Sequence, residues 1–368
     1  MSFYDTYPRY KNFDLEGAFS KTSPVSIQTA LEKNNPSIDD FVSLLSLQAE
    51  SSLEDIAQRA NELTKNNFGR TIQLYTPLYL SNYCDNSCSY CGFNLNNKIE
   101  RIKLTLDEVE EEAKSISSTG LKHILILTGE SRSSSPVSYI KDCIRILKKY
   151  FTSISTEIYP LLEEEYAQLI AEGVDGLVIY QEVYDEELYA KLHILGPKKD
   201  YRFRLDAPER GARSKMRNVS IGVLLGLGEW RKEIFLLGAH AKYLQERFPD
   251  VDIGISVPRL QPQGTGFTPL NPVSDKNIAQ IISAFRIFLP RASIALSTRE
   301  NPSFREDLIP FGVTKISAGS KTSVGGHVLC AKNKTPQFEI QDHRSVSEIK
   351  LMLEKKGYQP VFKDWMDI

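Results

Sequence analysis

Apolar residues change their spacing near residue 70 of this chain. Upstream, Leu53, Ile56, Ala57, Ala60 and Leu63 recur three or four positions apart, which gathers them on one helix face, and Gly69 punctuates the end. Residues 1–70 therefore read as a helical lead-in, its earlier part kept irregular by Pro24 and Pro36. Downstream, short β-branched runs alternate with amphipathic helices. Eight runs fall at 71–74, 123–127, 154–158, 176–180, 219–225, 251–257, 292–296 and 313–317. Such alternation predicts an α/β fold of βα units around a parallel sheet, and eight units predict a (β/α)8 TIM-type barrel.

The intervening segments carry helix signals. Thr105 with Glu108 forms a capping box, and Gly120 follows that helix. Ser135 then Pro136 predicts an N-cap with proline at the first helical position. Beyond it, Ile140, Cys143, Ile144 and Leu147 share one face, which makes Cys143 a core residue and not a ligand. The barrel is expected over 71–331. A helical tail over 332–368, with a helix at 346–356 and the aromatics Phe362 and Trp365, is expected to pack across one barrel end.

Composition narrows the partners. A formal charge of -2 gives no long-range pull towards nucleic acid. No stretch has the apolar length of a membrane span, and residues 1–10 hold no secretory apolar run. Five cysteines, three of them clustered, do not make a disulfide framework, so a reducing cytoplasm fits best.

In a βα barrel, chemistry sits where strands run into the following loops. Polar residues collect at those places: Thr128-Gly129-Glu130, Glu157 with Tyr159, Tyr180-Gln181-Glu182, Gly226-Leu227-Gly228-Glu229, Pro258-Arg259, Ser297-Thr298-Arg299-Glu300, and Ser317 through Lys321. The first run is followed by Cys84, Cys88 and Cys91, at spacing C-x3-C-x2-C. Three thiolates can hold three irons of a [4Fe–4S] cube and leave the fourth open to a small molecule. The alternative, a zinc knot, usually pairs C-x2-C with a second such pair, and Cys143 and Cys330 are distant and lone.

Together, LYLSNYCDNSCSYCGF (78–93), ILILTGE (124–130), VIYQEVY (178–184), RLDAPER (204–210), STRE (297–300) and QPVFKDW (359–365) resemble a known group. It is the aromatic-amino-acid lyase branch of the radical S-adenosylmethionine (SAM) enzymes, and within it the 2-iminoacetate synthases, or tyrosine lyases, of thiamine thiazole biosynthesis. The resemblance runs from about residue 70 to the end. It implies a [4Fe–4S] cluster on Cys84, Cys88 and Cys91, its open iron chelating SAM. Thr128-Gly129-Glu130 is similar to the family's Gly-Gly-Glu stretch for the SAM amino group, with Thr128 where many members have glycine. Glu182 is implied to meet the SAM ribose or ammonium, and Arg204 its carboxylate, although Arg202 could trade places with Arg204. Gly222 and Gly226 resemble the strand motif that lies along adenine, which Tyr90 also reaches. Arg299 is the best unclaimed cation for a substrate carboxylate, with Ser317, Ser320 and Lys321 on the neighbouring strand end. Of the histidines weighed, His123, His240 and His327, only His327 falls near the expected site.

The implied reaction cleaves the Cα–Cβ bond of L-tyrosine to 2-iminoacetate and p-cresol, while SAM becomes 5′-deoxyadenosine and methionine. The implied partners are a thiazole synthase subunit and a one-electron donor such as flavodoxin or ferredoxin. A tryptophan lyase is a second candidate. A hydrogenase maturase that cleaves tyrosine is a third, but its extra C-terminal iron–sulfur site needs several cysteines, and only Cys330 follows Cys143 here. A non-catalytic metal-binding scaffold predicts random strand ends, which these are not.

Overall fold

The computed structural model describes residues 2–263, 266–329 and 335–363. Eight parallel strands close a barrel: β1 (Thr71–Ser81), β2 (His123–Thr128), β3 (Ser153–Glu157), β4 (Gly176–Glu182), β5 (Asn218–Val223), β6 (Asp252–Ser256), β7 (Ser293–Leu296) and β8 (Lys315–Ser317). They pair in chain order, and β1 closes the ring between β8 and β2. All eight expected runs are these strands. β1 extends well past the expected 71–74, through Pro77. By Pro77 it has run beyond its pairing with β8 and pairs with β2 alone, so the missing N–H leaves no ladder partner wanting on the β8 side.

Two bulges shape the rim, between Tyr79 and Ser81 in β1 and between Tyr180 and Glu182 in β4. At the second, Glu182 takes φ +71°, a conformation rare for a residue with a side chain. A bulge re-aims the side chain beyond it, and here that side chain is turned to the barrel mouth.

The lead-in is helical almost throughout, over Phe3–Lys11, Leu15–Ser20, Pro24–Glu32, Ile38–Leu45 and Leu53–Phe68. Pro24 does not make it irregular. Proline tolerates the first helical turn, and Ser23 caps the helix by accepting from the Ser26 amide. Pro36 lies just before the next cap, Ser37. These helices wrap the outer barrel helices Trp230–Arg247 and Asp275–Phe288. Phe41 is fully buried with its ring stacked 4.4 Å from that of Phe288, and Phe3 stacks 4.1 Å from His240.

The capping box at Thr105 and Glu108 is present, and Cys143 is fully buried among its helix neighbours. The helix after β2 starts one residue later than expected, at Val137. Pro136 is extended (ψ 162°) and takes the cap position itself, so the buried Ser135 hydroxyl has no hydrogen-bond partner among the described residues.

The tail reaches both ends of the barrel. Residues 335–345 cross the mouth as a strap, with Gln337 N–H donating to the Thr322 carbonyl and Gln341 N–H to that of Thr298 (both 2.9 Å). Buried Asp342 anchors the strap to Arg305 and to Arg344 (2.7 Å). The helix Val346–Lys355 then runs to β9 (Gln359–Val361), which pairs with the first residues of β1 at the opposite end. Lys122 N–H donates to the Phe362 carbonyl (2.9 Å), so β9 continues the line of β2 below the barrel. Trp365 and Cys330 lie outside the described residues.

Candidate active site

The loop after β1 carries the cysteines, and backbone bonds fix it. Ser87 N–H donates to Leu195 O (2.9 Å), Ser89 N–H to Leu192 O (3.1 Å) and Asp85 N–H to Glu130 O (3.0 Å). The Arg101 guanidinium binds the carbonyls of Asn82 (2.7 Å), Phe93 (2.9 Å) and Asn94 (2.6 Å), satisfying backbone that no ladder reaches. Gly129 presses against this loop, and a Cβ there would come within 2.3 Å of Tyr83 O.

Cys84, Cys88 and Cys91 all line one cavity of about 70 Å³. Burial raises all three thiols, Cys84 to about 11, so holding them as thiolates requires a cationic centre. Among the described residues, no three His, Cys, Asp or Glu side chains converge on a single-ion site. Three soft donors around one cavity, without a fourth, suit a polynuclear group better than a lone zinc ion.

Beside the thiols lies a buried quartet of charges. Arg204 binds Glu130 (2.8 Å) and the Tyr180 carbonyl (2.6 Å), and Lys198 binds Glu182 (2.8 Å). Cross-pairs at 3.8 Å (Arg204–Glu182) and 4.0 Å (Lys198–Glu130) close the set. Burial alone would raise Glu130, but Arg204 and Lys198 outweigh it and hold the carboxylate below its usual range. Burial likewise opposes the Lys198 charge, and Glu182 and Glu130 overcome that. Arg202 points elsewhere, to Asp5 and Asp206 on the surface (3.5 Å each), so Arg204 is the arginine of the site.

Lys198 gave no signal in the sequence. It follows Gly196-Pro197 and precedes Lys199, and such a turn reads as solvated. The fold turns it inward by tying its N–H to Asn86 Oδ1 (2.8 Å) and its carbonyl to the Tyr189 hydroxyl (2.5 Å). Asn86, between the first two cysteines, also donates to Glu130 (2.9 Å), so one side chain links the cysteine loop to both cation turns. His193 was also missed. Its Nε2 pairs with the Tyr90 hydroxyl (2.7 Å), and burial beside Lys198 lowers its pKa to about 2, which keeps it neutral.

A second cavity, of about 120 Å³, lies deeper in the barrel mouth. Tyr75, Tyr79, Tyr90, Tyr180, Arg299, Ser317, Ser320, Gln337 and Phe338 are among its walls. Arg299 lies 3.4 Å over the Phe338 ring on the strap, and among the described residues it has no carboxylate partner. Its sequence neighbour Glu300 pairs with Arg259 instead. Burial lowers the Arg299 pKa. The hydroxyls of Thr128, on the thiol side, and Ser320, on the inner side, are buried without a hydrogen-bond partner among the described residues. The two cavities share Tyr79, Cys91, Leu127, Glu157, Glu182, Lys198 and Gln337.

Three expected positions are not brought to these cavities. Gly222 packs within the sheet, where a Cβ would meet Ser256 O at 2.1 Å and the Tyr180 ring at 2.4 Å. Gly226 forms the turn after β5, with φ +107°, and Leu224 and Leu260 line the cavity there. Lys321 is exposed, and the next residue, Thr322, takes the lining place. The His327 ring meets the Pro77 carbonyl (3.2 Å) and does not line either cavity.

The arrangement joins a thiol-lined pocket with paired charges to an aromatic chamber holding one unpaired cation. Comparison with known proteins shows the family. Residues 78–235 match the radical SAM superfamily, and residues 256–359 the biotin and thiamin synthesis associated domain. The 2-iminoacetate synthase of Salmonella typhimurium (strain LT2) is 36% identical over 365 residues, 99% of this chain and 97% of that protein. That of Escherichia coli (strain K12) is 36% identical over 367 residues, with the same coverage of 99% and 97%. The solved FeFe-hydrogenase maturase HydG from Carboxydothermus hydrogenoformans superposes with a TM-score of 0.86 at 32% identity, over 98% of this chain and 82% of that one.

Proposed function

This chain belongs to the 2-iminoacetate synthase family of the radical SAM superfamily, and from that premise we propose how its residues divide the work. The enzyme is a carbon–carbon lyase that splits L-tyrosine at Cα–Cβ into 2-iminoacetate and p-cresol, with SAM converted to 5′-deoxyadenosine and methionine. The observation that carries this reading is the junction of two cavities, one ringed by three thiols and one ending at Arg299.

Cys84, Cys88 and Cys91 would hold a [4Fe–4S] cluster, which when bound with SAM would supply the radical chemistry that takes a hydrogen atom from the substrate. The buried quartet suits a ligand carrying both an ammonium and a carboxylate. Glu130 and Glu182 can receive the first and Arg204 and Lys198 the second, each exchanging one buried ion pair for another without stranding a charge. Thr128 and Ser320 offer hydroxyls that want partners. Tyr90 closes the wall between thiols and chamber, braced by neutral His193.

Arg299 takes the tyrosine carboxylate, because its guanidinium faces the chamber without a salt-bridged carboxylate among the described residues. Ser317 and Ser320 line the same chamber. The strap keeps bulk water from the chamber, since Gln337 and Phe338 form part of its wall. Direct hand-over of the hydrolysable imine to a thiazole synthase subunit, reduction by flavodoxin or ferredoxin, and a cytoplasmic setting complete the proposal. No helix among the described residues is long and apolar enough to cross a membrane.

The test is anaerobic reconstitution with iron and sulfide, then SAM, a reductant, and tyrosine or tryptophan. Tyrosine-dependent p-cresol is the expected product. An indole product from tryptophan, with tyrosine inert, would overturn the substrate assignment.

A further inference from the structure

Glu157 has no part in the site as described so far, yet it lies at its centre. It ends β3 and lines both cavities, in the wall they share. The other carboxylate of that wall, Glu182, is committed to Lys198, and Glu130 in the thiol pocket is committed to Arg204. Glu157 makes no hydrogen bond or ion pair among the described residues. Glu182 on β4, Arg299 beyond β7, and Lys198 and Arg204 between β4 and β5 act on it electrostatically. So do the phenols of Tyr75 and Tyr79 on β1 and Tyr180 on β4.

We propose that Glu157 receives the α-ammonium of the amino-acid substrate and takes its proton, a catalytic role in addition to those above. The inference rests on the reading that a free amino acid enters with its carboxylate at Arg299. Amino and carboxylate groups branch from one carbon, so a carboxylate held at Arg299 places the nitrogen within a short reach of it. Glu157 is the unpaired acceptor lining the same chamber, at its border with the thiol pocket. In the transfer an N–H bond breaks and an O–H bond forms on Glu157, while the electron pair stays on nitrogen as a neutral amine. An enclosed site favours the uncharged pair, because neither group then needs hydration. Burial and the nearby Glu182 raise the Glu157 pKa to about 7, against the pull of Arg299, Lys198 and Arg204. A carboxyl so poised gives up or takes a proton near neutrality.

The test is calorimetric binding to cluster-loaded, unreduced enzyme with SAM present, so that no turnover occurs. The ligands are L-tyrosine and its des-amino analogue, 3-(4-hydroxyphenyl)propanoate. Wild-type enzyme should release a fraction of a proton per tyrosine bound near neutral pH, rising as pH falls, read from the dependence of heat on buffer ionisation enthalpy. Affinity for tyrosine should fall as pH drops below 7, where Glu157 is protonated before the ammonium arrives. Glu157→Gln should bind tyrosine about ten-fold more weakly or worse, without that pH limb, and should bind the des-amino analogue within about two-fold of wild type. Equal losses for both ligands, undiminished tyrosine binding, or weakened SAM binding in place of tyrosine binding would each overturn the proposal. Should Glu157→Gln fail to fold, buffer-independent tyrosine binding by the wild type overturns it equally. A wild-type enzyme that neither binds tyrosine nor makes p-cresol defeats the underlying reading instead, and is told apart by that.

Discussion

Replacing Arg299 should improve the fold and disable the enzyme. In the free protein its half-buried guanidinium lies against Phe338 and has no salt-bridged carboxylate partner among the described residues. The ring gives back about 0.5–2 kcal/mol by cation–π attraction. Leaving an ion unpaired away from water costs several kcal/mol even after relaxation, by the usual estimate for buried charges. The lowered pKa has the same sign, since burial disfavours the charged form. Arg299→Met, which keeps the bulk, should therefore melt at or above the wild-type temperature. With tyrosine bound the balance reverses. Losing the buried guanidinium–carboxylate contact should cost about 2–5 kcal/mol, roughly thirty-fold to several-thousand-fold in affinity. Arg299→Lys should recover part of this, because one ammonium lacks the guanidinium fork. The assay is an anaerobic tyrosine titration at saturating SAM, following p-cresol and 5′-deoxyadenosine together. Uncoupled 5′-deoxyadenosine should persist as p-cresol falls. If Arg299→Ala keeps the wild-type tyrosine dependence, the carboxylate lies elsewhere and the reasoning fails.

Other outcomes follow from the same geometry. Alanine at Cys84, Cys88 or Cys91 should each abolish the iron–sulfur absorbance, while Cys143→Ala should keep it, because Cys143 is packed in a helix face remote from the cavity; four cysteine ligands on one cluster would contradict the open-iron scheme. Lys198→Met should weaken SAM binding and SAM cleavage without tyrosine by at least about ten-fold, since it removes one of the two cations offered to the SAM carboxylate and leaves Glu182 only its 3.8 Å contact to Arg204; normal SAM binding would place the ligand elsewhere. Buried Glu233, which accepts the Tyr184 and Asp185 amides, has its pKa raised to about 7, chiefly by burial. Between the ordinary carboxyl pKa and 7 the folded state holds the extra proton, so stability falls as pH rises through that window. Urea unfolding at pH 5 and pH 8 should show a smaller drop in Glu233→Gln than in wild type, and an unchanged drop would refute the assignment.

The barrel was legible because its signals repeat. Each of eight β-branched runs is short, bounded and followed by a helical face, and a mistaken end leaves the count intact. Local exceptions came from backbone the pattern does not describe. Pro24 reads as a breaker until a serine cap makes it a helix start. The first run reads as ending at Leu74, and β1 continues past it because its pairing with β2 outlasts its pairing with β8. β9 is three residues long, and only its pairing with the first residues of β1 makes it a strand. The site divides in the same way. Cysteine spacing and strand-end polarity are properties of consecutive residues, so Cys84, Cys88, Cys91, Glu130, Glu182 and Arg299 could be nominated. Lys198 and His193 reach the site through a loop whose course is set by Asn86 and Tyr189, and no local pattern encodes that course. Gly222 shows the opposite case, a glycine that fits a ligand motif but is required by the packing of Tyr180.

The double reach of the tail has a consequence for biosynthesis. On the ribosome, residues 335–345 and β9 emerge only after all eight barrel strands. Until then the mouth lacks its strap, and the gap beneath β2 lacks its last strand. The nascent barrel thus passes through a stage in which the three thiols are accessible from above while the floor remains unsealed. Arrival of one segment then changes both conditions together. Connectivity thus leaves the closing of the mouth and of the floor to the last part of the chain.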